Sequence, residues 1–520
     1  MTPDAPRRPS RARRRGPVVG AAVTLSAALL VATPGSGSAA TDEPSLLDAW
    51  KETARYTLAT GVTYVRYTER AATLGRQAPR EMNVVIADPT LGATRLESTV
   101  GGAAAKAETV AAQLTAVKPE RPLAGINGSF FKGEPPHGDS IQFLGTAVRD
   151  GQVNGTGCLS GSQAVVLQHG LPYISKLRAT VTLQVRDASG AVVATRLLDD
   201  VNRDPGRGIG CARGEGDVPK EITYPSGSLD VFLDGDEIVA FNDSYNLATP
   251  TKNRDTHPEV TTDDAPGYEV TVNDTGAFTA PKDSNGQWVT GRGGKNVATG
   301  GFVLQAVGAQ AEQWLRTNLT PGRTLALKNE VADLEFPDNH IALDESVDIV
   351  SGMAHRLLDD GVVDTTALTC ARVFDSTGVK FTPAKGWTPA AGDHCRDSRT
   401  ALGVDGKGRT VMATITGRRE VLDAQGKVVD PTGPKDYSGV DGAFMGEFAE
   451  LLKMPELDVF DAINLDGGGS TTLYTLDKRQ TGMTDIDEQP DKTFRRVERP
   501  VADAVYLTRG GYGIAGGSLP

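Results

Sequence analysis

From residue 81 onward the chain alternates apolar and polar positions in short runs broken by Gly, Asn or Asp, the period-two pattern of half-buried strands. Met82 to Ala87, Leu123 to Ile126, Ala164 to Gln168, Ala179 to Val185 and Val192 to Leu198 read as strands. Between the last two, the Asp187-Ala-Ser-Gly190 turn predicts a hairpin. Ahead of this region, Ser45 to Leu58 has helical periodicity and Val62 to Tyr67 alternates like a strand. Helical spacing returns at Gly308 to Arg316 and at Asp441 to Lys453, whereas Asn242 to Lys295 is polar and rich in Gly, Thr and Asp, predicting long surface loops around a few strands. With no internal repeat or low-complexity linker, the pattern predicts one large α+β domain, β-rich, with mixed sheets, a few packed helices and loop insertions. Its expected limits are residues 79–510, with a helix and strand leading in over 41–78, a β-rich extension over about 170–330 and a tail at 511–520.

Residues Met1 to Ala40 read differently. A basic run from Arg7 to Arg15, an apolar stretch from Gly16 to Ala32 and a small-residue site at Ser38-Ala39-Ala40 predict an export signal of the general or twin-arginine type. The apolar stretch is short for a bilayer span and exits through Pro34-Gly35, so no stable span is expected after its removal. Losing six Arg and one Asp with it takes the formal charge from −12 to about −17. An acidic exported chain lacks the basic face that nucleic acid or an anionic membrane requires. Cys158, Cys211, Cys370 and Cys395 make an even set in such a chain, and closeness in sequence favours pairing 158 with 211 and 370 with 395. No spacing suggests a structural zinc site.

The candidate chemistry is concentrated at strand ends. In Asp461-Ala-Ile-Asn-Leu-Asp-Gly-Gly-Gly-Ser-Thr-Thr-Leu-Tyr474 a buried-strand pattern runs into Asp466, then Gly467, Gly468 and Gly469, then Ser470, Thr471 and Thr472. Such a turn is either a plain tight turn or a nest of backbone N–H groups that takes an anion beside a carboxylate. A second strand-end turn, Leu123-Ala-Gly-Ile-Asn-Gly-Ser-Phe-Phe131, can converge on the same pocket, with Asn127 orienting a sugar hydroxyl and Phe130 or Phe131 stacking on a sugar face. The competing reading is a hairpin-like turn followed by two core aromatics. His137, in Pro135-Pro-His-Gly-Asp139, is an acid, base or phosphate donor if it is not merely solvated. Glu447 falls on the apolar stripe of Phe444, Phe448, Leu451 and Leu452, where a carboxylate needs either an arginine partner or a raised pKa. Arg399 opens a strand, Arg499 lies near the C-terminus, and each is either a solvated cation or a bidentate phosphate ligand.

Taken together and in this order, Ile126-Asn-Gly-Ser-Phe-Phe131, Ser398-Arg-Thr-Ala-Leu-Gly403, Gly446-Glu-Phe-Ala449, Asn464-Leu-Asp-Gly-Gly-Gly-Ser-Thr-Thr472 and Glu498-Arg-Pro-Val501 resemble the phosphodiester glycosidase family. The resemblance runs from about Tyr64 to Leu507, takes in Ser351 to Gly361, and at Asn202-Arg203 and Val303 to Gly308 is similar to an extended actinobacterial-type version. Two departures are Ser129, where Gly or Asp is common, and the Cys370 to Cys395 excursion ahead of Arg399.

The resemblance implies hydrolysis of a sugar phosphodiester at the anomeric carbon, within cell-wall or exopolysaccharide glycans. Asp466 is then base or nucleophile, Glu447 the second carboxylate and His137 a further acid–base candidate, as in two-carboxylate glycoside hydrolysis. Asn127, Phe131, Arg399, Gly467, Gly468, Gly469, Ser470, Thr471 and Arg499 would bind the substrate. The partner expected is a carbohydrate or sugar phosphate. No cofactor is implied, although Asp466, Asp139 and Asp405 offer the oxygen ligands that a divalent cation such as Ca²⁺ takes. Two rival readings are a glycoside hydrolase acting on neutral polysaccharide and a non-catalytic carbohydrate-binding envelope protein.

Overall fold

A computed structural model describes residues 47–69, 80–92, 94–132, 141–206, 208–209, 211–214, 216–224, 227–251, 266–353, 356–364, 397–417, 421–422, 428–430, 442–443, 445–481, 485–488 and 494–510. The expected export signal, His137, Asp139, Cys370, Cys395 and Phe444 lie outside the described residues.

Two sheets stacked face to face carry the site. The larger runs Trp50–Ala59, Val62–Glu69, Glu81–Ala87, Thr410–Thr416, Arg399–Asp405, Val459–Leu465, Arg356–Asp359 and Val362–Val363, each strand antiparallel to its neighbour. The smaller runs Lys478–Arg479, Leu473–Thr475, Pro122–Asn127, Ala504–Arg509 and Thr94–Thr99. Strand alternation explains the stacking, because one face of each sheet is apolar and must be covered. Leu402, Met412, Ile463 and Leu465 from the larger sheet meet Leu96, Ile126, Leu473, Val505 and Leu507 from the smaller one in a common core. On the outer face of the larger sheet, Val84, Ala401, Ala413 and Ile415 pack against Phe448, Leu451 and Leu452 of the helix Met445–Leu452. The outer face of the smaller sheet, through Ala504 and Tyr506, packs against Val110 and Leu114 of the helix Val110–Ala116. Thr109 caps that helix by accepting from the Ala112 N–H. The resulting layers are helix, sheet, sheet, helix.

A third sheet is built on the long hairpin arm Leu171–Arg186, which pairs with Ser162–Gln168, Val192–Leu197 and Thr324–Asp333. It shares a core with the sheet of Glu237–Asn242, Phe302–Val307 and Tyr268–Val272, and with the helix Ala309–Asn318. One parallel pair, Asp200–Val201 beside Glu237–Asn242, is found among the described residues. The architecture is the β-rich α+β domain that the sequence pattern predicts.

One element is of the other kind. Ser45 to Leu58 reads as helical, yet Trp50–Ala59 is a strand, joined to Val62–Glu69 through a turn in which Gly61 has φ +75°. This strand lies at the edge of its sheet and buries only Trp50 and Leu58, so the alternation of a covered strand is not written into it. Pairing with Val62–Glu69 decides its conformation. The expected hairpin turn at Asp187 forms, with the Asp187 carboxylate accepting from the Ser189 and Ala191 N–H groups. Cys158 and Cys211 are joined in a disulfide, as expected.

Candidate active site

Register brings the site together. Thr400 pairs with Leu465 in an antiparallel ladder, so the residues entering one strand, Asp397 and Ser398, lie beside those leaving the other, Asp466 and Gly467. The Gly468 N–H closes the junction by donating to the Ser398 carbonyl at 2.8 Å. The smaller sheet contributes its own strand end: the Asp466 N–H donates to the Gly128 carbonyl at 3.0 Å. The two turns that the sequence singles out, after Asn127 and after Leu465, do converge.

Each glycine of the turn answers to a different neighbour. A Cβ on Gly467 would fall 2.7 Å from the Ser398 carbonyl oxygen, and one on Gly469 would fall 2.4 Å from the Arg499 guanidinium carbon. Gly468 has φ +60°, a left-handed conformation that disfavours side chains, and its Cβ would sit 3.1 Å from an Asp397 carboxylate oxygen. The turn is therefore tight because two charged side chains lie on it. Replacing Gly469 by Ala displaces the Arg499 guanidinium, and a loss of substrate affinity with little change in melting temperature is the expected result. Calorimetric melting beside a KM measurement checks it, and an unchanged KM counts against Arg499 as a ligand.

At this junction Asp397, Arg399, Asp466, Gly467 and Arg499 are half-buried, while Ser398, Thr400, Leu465 and Gly468 beside them are buried. Burial pushes the Asp466 carboxyl up to about 6 against the opposing pull of a Ser470 hydrogen bond and the Arg499 charge; the nearby Asp397 charge pushes the same way as burial. Burial likewise pushes Asp397 to about 6, opposed by Arg399 and by Arg499. Arg399 is lowered from its ordinary value by burial, with Asp397 holding it up, and its Nε donates to the Ala443 carbonyl at 3.1 Å. Two carboxyls poised near neutral pH beside two guanidiniums are an arrangement suited to proton transfer next to an anion.

Behind the junction lies a buried polar frame. Asn127 is fully buried, and its amide is a clamp: Nδ2 donates to the Asp466 carbonyl at 2.6 Å, while Oδ1 accepts from Thr400 Oγ1 at 2.8 Å and from the Thr472 N–H at 3.0 Å. Asp503, which the sequence gives no reason to single out, accepts from the Ser129 N–H and hydroxyl at 2.5 and 2.8 Å, and burial pushes it up to about 6. Ser129 Oγ in turn accepts from the Ser351 N–H. These bonds fix the Asn127 turn against the glycine turn.

The remaining sequence candidates are placed as follows. Glu447 pairs with Arg80 at 2.8 Å, and Arg80 also binds Glu69 at 3.0 Å, the ion-pair alternative that the apolar stripe left open. Phe131 pairs with Phe143 in a short ladder and packs on the cluster around Ile141 and Ala502. The Gly467 N–H donates to the Asp466 carboxylate, so with Gly468 also engaged, two of the expected nest donors are used within the protein. Asp405 caps its own hairpin by accepting from the Lys407 and Arg409 N–H groups, at the far end of a seven-residue strand and about 20 Å along it from Arg399. Among the described residues, Asp359, Asp360 and Asp461 place one oxygen each within 4.8 Å of one another, and Arg356 bonds to Asp359 and Asp461 at 3.0 and 3.3 Å. No described helix is long and apolar enough to cross a membrane.

Comparison with known proteins follows the same lines. A protein of Burkholderia pseudomallei K96243 named as exported superposes with a TM-score of 0.63 at 19% identity, over 88% of this chain and 96% of its own. A Synechocystis protein described as hypothetical gives 0.51 at 16%, over 86% of this chain and 62% of its own. The catalytic domain of zebrafish N-acetylglucosamine-1-phosphodiester alpha-N-acetylglucosaminidase gives 0.35 at 12% over 88% and 87%, a superposition too loose to compare sites. No curated protein matches. The phosphodiester glycosidase family model matches residues 266–508, which take in Asp397, Arg399, Asp466 and Arg499 and leave out Asn127. The chain's resemblance to the phosphodiester glycosidase family therefore holds over this stretch, which carries both carboxylates and both arginines of the site.

Proposed function

We propose that this protein is an exported hydrolase that cleaves the glycosidic bond of a sugar phosphodiester in cell-wall or exopolysaccharide glycans. The observation that carries the reading is the meeting of two carboxylates and two guanidiniums at adjacent strand ends, with Arg499 beside Asp466 and both Arg399 and Arg499 beside Asp397. A phosphodiester carries its charge next to the bond to be broken, and two guanidiniums neutralise that charge where a neutral glycoside would give them nothing to bind. The basic signal pattern and the Cys158–Cys211 disulfide support an extracytoplasmic location.

In this reading the phosphate sits against Arg399 and Arg499 with the anomeric carbon toward Asp466. Asp466 takes a proton from the attacking water. A carboxyl held near 6 is a better proton acceptor than one at the ordinary aspartate value, which favours a base over a nucleophile. Asn127 and Ser470 position Asp466 rather than touch the sugar.

The test is product analysis by NMR after incubation of the mature protein with an α-N-acetylglucosaminyl phosphodiester, with and without chelator. Free sugar and a phosphomonoester are expected, with kcat/KM falling as the pH drops below about 6 because Asp466 must be ionised. Turnover of a neutral glycoside at an equal rate overturns the assignment of the arginines, and release of nothing from any glycan overturns the reaction.

A further inference from the structure

The sequence leaves one position in the reaction without a secure occupant. Two-carboxylate hydrolysis needs a group to protonate the departing oxygen as well as one to accept the proton of water. Glu447 is tied to Arg80 by its ion pair. Asp397, in contrast, lies on the glycine turn itself, half-buried over Gly468, with Arg399 and Arg499 both beside it.

Resting on the phosphodiester reading above, we propose that Asp397 is a second catalytic residue, the acid that protonates the departing phosphate. Three features of the structure converge on it. Its carboxylate lies over Gly468, beside Asp466 but on the neighbouring strand end, since Asp397 leads into the strand Arg399–Asp405 while Asp466 leaves Val459–Leu465. The groups facing it are Arg399 from its own strand, Arg499 from the segment after Val497, and Asp466 from the glycine turn, with Ala443 contributing only backbone on the remaining side. A phosphate bound by both arginines is thereby also within the reach of Asp397. Its environment holds its carboxyl near 6, matched to a phosphomonoester, whose second ionisation is also at about 6.

The step balances. The bond between the anomeric carbon and the phosphate oxygen breaks with its electron pair on oxygen, and the Asp397 proton moves to the phosphate. Water supplies the new anomeric hydroxyl, and its other proton goes to Asp466. One proton shared between two coupled carboxyls, with Asp466 ionised and Asp397 protonated, is the productive state.

The experiment compares wild type and Asp397→Asn on an α-N-acetylglucosaminyl phosphodiester and on the fluoride of the same sugar, whose leaving group needs less protonation. Asp397→Asn is expected to lower kcat/KM on the phosphodiester by about 10²-fold or more and to abolish the alkaline limb of the pH profile. Hydrolysis of the fluoride stays within about tenfold of wild type, which also shows that the variant is folded. An unchanged phosphodiester rate with the alkaline limb intact overturns the proposal, as does an equal loss on both substrates. Wild-type protein inactive on the phosphodiester but active on the fluoride overturns the underlying reading instead.

Discussion

Asp466→Asn is expected to lower kcat on a sugar phosphodiester by about 10²- to 10⁴-fold while leaving the melting temperature nearly unchanged. The substitution is nearly isosteric. An asparagine can keep an oxygen toward the Gly467 N–H and the Ser470 hydroxyl, and the backbone bonds to Asn127 and Gly128 do not involve the side chain. What is lost is the group that accepts a proton, so KM should move less than kcat. Side-by-side initial rates with circular dichroism on both proteins check this. A variant retaining more than about a tenth of wild-type kcat would remove Asp466 from the role of base, since that is far less than general-base removal costs.

The second large effect concerns stability and lies away from the site. Asp200 is fully buried and accepts from Thr156 through both its N–H and its hydroxyl, at 3.0 and 2.8 Å. Its other oxygen receives Arg203 at 3.0 Å and Arg213 at 2.7 Å, and Arg203 also binds Glu237 at 2.8 Å. Burial acts to raise the Asp200 carboxyl, but the two arginine charges win and hold it below its ordinary value. Removing one member of a buried ionic network leaves the others charged and desolvated, which costs about 3–5 kcal/mol. Asp200→Ala is therefore expected to lower unfolding stability by that amount, read as a shifted denaturant midpoint with the m-value unchanged. A loss below about 1 kcal/mol would mean that the two arginines find other partners or solvent. Reducing the Cys158–Cys211 bridge, which closes a 53-residue separation two residues from Arg213, acts on the same region and should add about 2–5 kcal/mol of its own.

The contrast between these two regions shows how much of the molecule is legible in one dimension. Strands whose two faces meet different surroundings, such as Glu81–Ala87 and Val459–Leu465, carry their identity in local order and are read directly. The edge strand Trp50–Ala59 is not, because its partner determines it and its own exposed residues are free to mimic a helix. The site divides in the same way. Asp466 and its glycines are visible because a carboxylate followed by three residues without Cβ atoms is a local anomaly. Asp397 and Asp503 carry no such mark; each is an ordinary aspartate a residue or two ahead of a strand.

By itself, then, the sequence determined the β-rich class, favoured the pairing of Cys158 with Cys211 that the structure shows, and singled out the two turns that converge. The tertiary structure alone decided which charges meet there. Antiparallel register, with Thr400 opposite Leu465, is what lays Asp397 beside Asp466 across 69 positions of chain, and sheet stacking is what brings Asn127 against the Asp466 carbonyl and Thr400. It also decided that Glu447 answers to Arg80 and that Asn127 clamps the turn from inside. The physical reason is that a residue's type records what it can do, whereas its protonation and its partners follow from burial and neighbours, which only the packed chain supplies.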